Sequence, residues 1–132
     1  MRLFASSLVF GLALPIAAAQ TAPIPRSPLS TAEAAQHVGE NRTVCGEIAN
    51  IYTAASSHGT PTFVDIDQPY PHSLFDLVIW GENKPDIGPF PKSGKICASG
   101  KIILYHGRAE IFLQDWHSWY IPNSNEQRAS MP

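Results

Sequence analysis

The sequence predicts a mostly β domain, five short strands closing into a small barrel behind one short helix. Three observations carry that expectation. Apolar residues recur with a period of two in separate short runs between Val44 and Gln114. Gly46 and Gly100 fall inside two of those runs, where a closed barrel has to bend its strands sharply. The segments between runs are rich in Gly, Pro, Asn, Asp and Ser, which leaves no stretch for a long helix. A flat open sheet of the same size would leave unpaired edges exposed.

The chain opens with a different kind of segment. Arg2 gives a positive start, Leu3 to Ile16 is almost wholly apolar, and Ala17-Ala18-Ala19 offers a small-residue cleavage site before Gln20. Residues 1–19 therefore read as a signal peptide, and the apolar stretch is short against the roughly 20 residues a spanning helix needs. Residues 20–29 hold Pro23, Pro25 and Pro28 and read as an extended linker. The domain is expected over 30–121, and 122–132 as a flexible polar tail.

Within the domain, Ser30 with Glu33 three residues later makes a capping box for a short helix that Gly39 ends. Leu29, Ala34 or Ala35, and Val38 would form its buried stripe. The first strand alternates through Val44, Gly46 and Ile48, and Ser56-Ser57-His58-Gly59 turns the chain into a second strand over Thr62–Asp67. Gln68-Pro69-Tyr70-Pro71 breaks that strand, since proline has no N–H to donate. In the third strand, Leu74–Trp80, Phe75, Leu77 and Ile79 face one way and Asp76, Val78 and Trp80 the other. Residues 81–94 hold too many breakers for a long helix. Lys95–Leu104 reads as the fourth strand and Glu110–Gln114 as the fifth, joined through a tight hairpin at Tyr105-His106-Gly107.

Charge and cysteines bound the function. Removing 19 of 132 residues leaves 113, enough for one domain. Arg2 leaves with them, so eight basic side chains face eleven acidic ones, a net charge of −3. Proteins that grip many phosphates normally carry the opposite surplus. Cys45 and Cys97 both lie in the mature part, and an even pair in an exported chain reads as a disulfide, with two buried thiols as the alternative.

The run from Thr43 to Leu113 resembles the OB-fold domains of small bacterial exported or nuclease-associated proteins. The residues that carry the likeness are Val44-x-Gly46, Thr62-Phe63, Tyr70-Pro71 ahead of Phe75-x-x-Val78-Ile79-Trp80, Gly94-Lys95, Ser99-Gly100-Lys101-Ile102 and Tyr105-x-Gly107. The resemblance spans about residues 40–115 and implies a five-stranded OB-like Greek-key barrel with a short N-terminal helix. It makes the first and fourth strands neighbours, so Cys45 and Cys97, each one residue out of phase with the core, can meet across them. It further implies an exported, non-catalytic binding module, periplasmic or secreted, with single-stranded nucleic acid as the first expected ligand. Aromatics that stack bases and cations that meet phosphates would then be Tyr52, Trp80, Lys84, Lys95, Lys101, Tyr105, Arg108 and Phe112. Phe63 and Phe75 are assigned to the core. Glu82, Asp86 and Glu110 interrupt the basic set, which also fits an ordinary solvated surface.

Two other functions compete. An envelope protein could be the partner, through the same face or the Trp116-x-x-Trp119-Tyr120 cluster, which alternatively closes one barrel end. Oligosaccharide binding is a third reading. A nuclease is not expected: Asp65 and Asp67 lie two apart on one strand, but Arg108 is the only arginine inside the barrel strands. The five histidines lack metal-ligand spacing, no cofactor motif is present, and GxSxG, SxxK and glycine-rich phosphate loops are missing.

Overall fold

The computed structural model describes residues 3–4, 7–19 and 26–123. Strands β1 (Asn41–Thr53), β2 (Thr62–Ile66), β3 (Phe75–Ile79), β4 (Lys95–Tyr105), β5 (Arg108–Phe112) and β6 (Trp119–Tyr120) make one sheet, with helices α1 (Thr31–Ala34) and α2 (Lys84–Ile87) beside it. The order β1-β2-β3-β5-β4 returns to β1, because β4 also pairs with β1, so five strands form a closed ring. All neighbours are antiparallel except β3 and β5. The expected five strands are present, and β6 is an addition that lies against β4. The core inside the ring is Val44, Val64, Ile66, Phe75, Leu77, Ile96, Ala98, Ile102, Ala109, Ile111 and Leu113, with Leu29 and Ala34 brought in from the helix end.

Local chemistry explains the boundaries. Ser30 and Glu33 form the reciprocal capping box, but the α-helix lasts only four residues before a 3₁₀ turn over Ala35–His37. Gly39, at φ +90°, ends the segment as expected. Val38 is exposed, so the helix buries a narrower stripe than its sequence suggests. β2 stops one residue early because Asp67 takes φ +67° and leaves the strand. Its carboxylate then accepts from the Thr31 hydroxyl at 2.7 Å and the Glu47 N–H at 2.8 Å, so Asp67 is a structural tie rather than a strand-face partner of Asp65. β1 begins at Asn41, so Arg42 as well as Arg108 lies in a barrel strand, contrary to the sequence reading. β5 starts two residues earlier than expected. His106 and Gly107, at φ +47° and +78°, make a two-residue turn, which lets Arg108 pair with Tyr105 at once.

β1 carries a bulge. Ile48 pairs with Ile66, yet Asn50 pairs with Asp65, so Ala49 is the extra residue. One extra residue reverses the side-chain phase. Val44, Gly46 and Ile48 face the core before it, whereas Asn50 and Tyr52 face outward after it.

Cys45 and Cys97 sit directly opposite each other and are disulfide-bonded, with Cα atoms 4.1 Å apart. The Cys45 N–H donates to Leu29 O, so this is the closely spaced, non-hydrogen-bonded kind of strand pair. The bond closes a 52-residue separation across the β1–β4 seam. Loop closure on that scale stabilises by about 4 kcal/mol in the chain-entropy account.

Residues 7–19 form no helix or strand, and the bulky apolar side chains described in residues 3–16 are each at least 81 % exposed. They add nothing to the core. Among the described residues, no helix is long and apolar enough to cross a membrane. Leu29, placed at the end of the expected linker, bridges Val44 and is buried with the domain. Most of the expected tail lies outside the described residues.

Candidate functional site

Alternation along β2, β3 and β5 puts one carboxylate from each strand on the outer face of the ring. Asp65 pairs with Asp76 across β2–β3, and Asp76 with Glu110 across β3–β5, so the three acids form one row. All three are buried, at 4, 2 and 3 % exposure. Like charges placed opposite one another destabilise a sheet. Here the row forms the floor of a pocket of about 400 Å³ walled by Tyr52, Phe63, Tyr70 and Tyr105.

Arg108 is the cation of the pocket. Its Nη1 lies 3.0 Å from Asp76 Oδ2 and donates to Ser73 Oγ at 3.0 Å, and its guanidinium stacks 4.8 Å from the centre of the Tyr70 ring. Asp65 is held differently: its Oδ2 accepts from the Tyr70 N–H at 2.9 Å and from the Asn50 amide at 3.4 Å. The β2–β3 connection thus folds back over the acids, which is why outward-facing residues end up dry. Asp76 Oδ1 is buried and has no hydrogen-bond partner.

Burial sets the protonation of this row. The Asp76 carboxyl is raised by desolvation, against the lowering effects of Ser73 and Arg108, and the Asp65 charge pushes it further up. Glu110 is pushed up to about 7, first by burial and then by the Asp76 charge, with Arg108 opposing. One guanidinium faces three carboxyl groups, so the pocket is electronegative.

The sequence-predicted residues divide clearly. Tyr52, Tyr105 and Arg108 line the pocket. Trp80 and Phe112 meet edge to face at 5.8 Å beside it, and Lys101 lies with Phe112 along a neighbouring groove. The six thus fall into two groups, three in the pocket and three beside it. Lys84 belongs to neither, because it starts α2 in the β3–β4 connection. Lys95 opens β4 opposite Glu47, roughly 30 Å of strand away from Tyr105.

Phe63 is not a core residue: it pairs with Tyr52 and its ring lines the pocket. Phe75 is core, as expected. The Trp116–Tyr120 cluster splits. Trp119 packs on the core, meets Phe90 edge to face at 5.0 Å and donates its indole N–H to Ile87 O at 3.2 Å, while Trp116 stays exposed.

Sequence reasoning missed Asp65, Asp76, Glu110 and Tyr70 as members of one site. A signal for the acids is present: Val64-Asp65-Ile66, Phe75-Asp76-Leu77 and Ala109-Glu110-Ile111 each set one carboxylate in the middle of an apolar strand. Among the described residues, no group of three or more His, Cys, Asp or Glu is arranged to hold a metal ion.

No protein-family model and no curated protein matches the chain. Solved structures share its fold. OBody AM2EP06 bound to hen egg-white lysozyme is 17 % identical with a TM-score of 0.52, over 77 % of this chain and 98 % of that one. OBody AM1L10 bound to hen egg-white lysozyme is 16 % identical with a TM-score of 0.52, over 78 % of this chain and all of the other. At that identity the likeness concerns the fold alone.

Proposed function

We infer that this chain is an exported, non-catalytic binding module of OB-barrel type whose ligand surface is the outer face of β2, β3 and β5. The observation that carries the reading is the convergence on that face of a walled pocket and a buried, mutually repelling acid row. A row of that kind lowers stability, and perturbed ionisable groups in a cleft are a physical mark of function. The closed strand order and the fold shared with the OBody structures support the barrel assignment. Export rests on the signal-like residues 1–19, whose described apolar side chains pack on nothing, and on the disulfide, which suits an oxidising periplasm or medium.

A second reading has its own observation. Tyr52, Tyr105 and Arg108, three of the residues expected to bind a nucleic-acid strand, line the pocket, and Trp80, Phe112 and Lys101 lie beyond the acids. The charge of the pocket opposes phosphate, so a strand would have to run along that flank. An envelope protein partner remains a third proposal, with Trp116 rather than Trp119 as its exposed contact.

Fluorescence anisotropy with a labelled single-stranded oligonucleotide and a labelled tetralysine peptide separates these readings. Binding that is lost when Tyr52→Ala and Tyr105→Ala are combined supports the outer face. Binding indifferent to that pair of changes sinks it. Arg108→Gln then reports the sign of the ligand, weakening the oligonucleotide and strengthening the peptide if the acids are what the ligand meets.

A further inference from the structure

The chemistry of the pocket narrows the ligand class, given the outer-face reading above. Its floor carries Asp65, Asp76 and Glu110, and the titratable groups that face them are Arg108 from β5, Tyr52 from β1, Tyr105 from β4 and Tyr70 from the β2–β3 connection. Arg108 neutralises Asp76 through Oδ2 alone. The other oxygen of the same carboxylate, Oδ1, is buried and finds no donor, and the neighbouring Asp65 carboxyl is a second acceptor. A buried carboxylate oxygen without a donor is costly, and a ligand that brings a donor removes the cost. The walls are tyrosine rings that are more than half exposed, at 61, 67 and 55 % for Tyr52, Tyr70 and Tyr105. Their faces already attract one cation, since the Arg108 guanidinium lies over Tyr70.

We propose that the pocket binds a compact organic cation, a protonated primary amine, with its N–H donors toward Asp76 and Glu110 and its hydrocarbon against Tyr52, Tyr70 and Tyr105. An anion would meet two uncompensated carboxylates. A neutral apolar ligand would leave the acid row as it is. The pocket volume lies at the small end of the range for ligand sites, which suits a free amine of modest size or the end of one lysine side chain. Because Glu110 gives up its proton near pH 7, the cation gains a full charge to face as pH rises.

Calorimetric titration of the oxidised protein tests this with benzylammonium, benzyl alcohol and phenyl phosphate, matched in ring and different in charge. The expected result is binding of the ammonium in preference to the other two, stronger at pH 8 than at pH 5.5. Glu110→Gln, which keeps the shape of the side chain, should weaken it about tenfold at pH 8 and remove most of the pH dependence. Equal binding of benzyl alcohol, preference for phenyl phosphate, or no ammonium binding overturns the cation proposal. If any of these probes binds and Tyr52→Ala does not affect it, the outer-face reading fails as well; if Tyr52→Ala removes benzyl alcohol binding, that reading stands and only the charge inference falls. A tetralysine peptide forms the last arm. Tighter binding of the peptide than of the free ammonium assigns the charge to a protein side chain, and weaker binding assigns it to a small molecule.

Discussion

Glu110 shows how one residue can carry both the cost and the purpose of the site. Its carboxyl titrates near 7 in the folded protein against an ordinary value of 4.5. Between those two values the folded state holds a proton that the unfolded chain has released, so stability falls as pH rises through that window. Asp76 shifts in the same direction. Glu110→Gln should therefore stabilise the protein at pH 8 by on the order of 1–3 kcal/mol, with the gain fading toward pH 5. Urea denaturation at the two pH values checks this, and an equal difference at both would contradict it. A wild-type residue that costs stability and whose replacement costs binding is the expected signature of a functional site. At this scale, Tyr52, Tyr105 and Arg108 were legible because aromatics and a cation on strand ends are conspicuous. The acids were not. Period-two reasoning assigns outward carboxylates to solvent, and it cannot see the Tyr70 N–H that meets Asp65 or the Ser73 hydroxyl that holds Arg108 against Asp76.

Among the elements, the β1 bulge and the two close strand crossings matter most. Without the extra residue at Ala49, Tyr52 would continue the phase of Val44 and Ile48 into the core, and the pocket would lose a wall. No residue type marks that bulge, so the sequence could supply Tyr52 as a candidate but not the reason it faces outward. The glycines were more informative. A Cβ on Gly46 would run into the Ile66 side chain and lie 2.9 Å from Asp67 Oδ1, while one on Gly100 would lie 2.9 Å from Ile111 Cγ2. Gly46→Ala therefore presses on both the core and the carboxylate that ties α1 to β1, whereas Gly100→Ala displaces one methyl. Gly46→Ala should cost about 1–3 kcal/mol in equilibrium unfolding, more than Gly100→Ala. A smaller cost at Gly46 than at Gly100 would mean that the β1 crossing is looser than its geometry.

At the scale of the whole molecule, ring closure was readable and its two ends were not. Strand periodicity, breakers and two glycines inside strands point to a closed ring, and the disulfide lies across the β1–β4 pairing that closes it. β6 escaped notice because a two-residue strand is defined by its partner β4, not by its own pattern. The closed ring also explains why a mildly acidic chain can own a distinct site. Burying three carboxylates on one outer face concentrates negative charge that the overall net charge of −2 hardly reveals. The account stands or falls on that face being where ligand is met. Amide NMR of the oxidised protein titrated with benzylammonium at pH 8 addresses it residue by residue. The account predicts shifts centred on Tyr52, Asp65, Tyr70, Asp76, Tyr105, Arg108 and Glu110; shifts centred instead on Trp116 and His117, with the acid row unmoved, would contradict it.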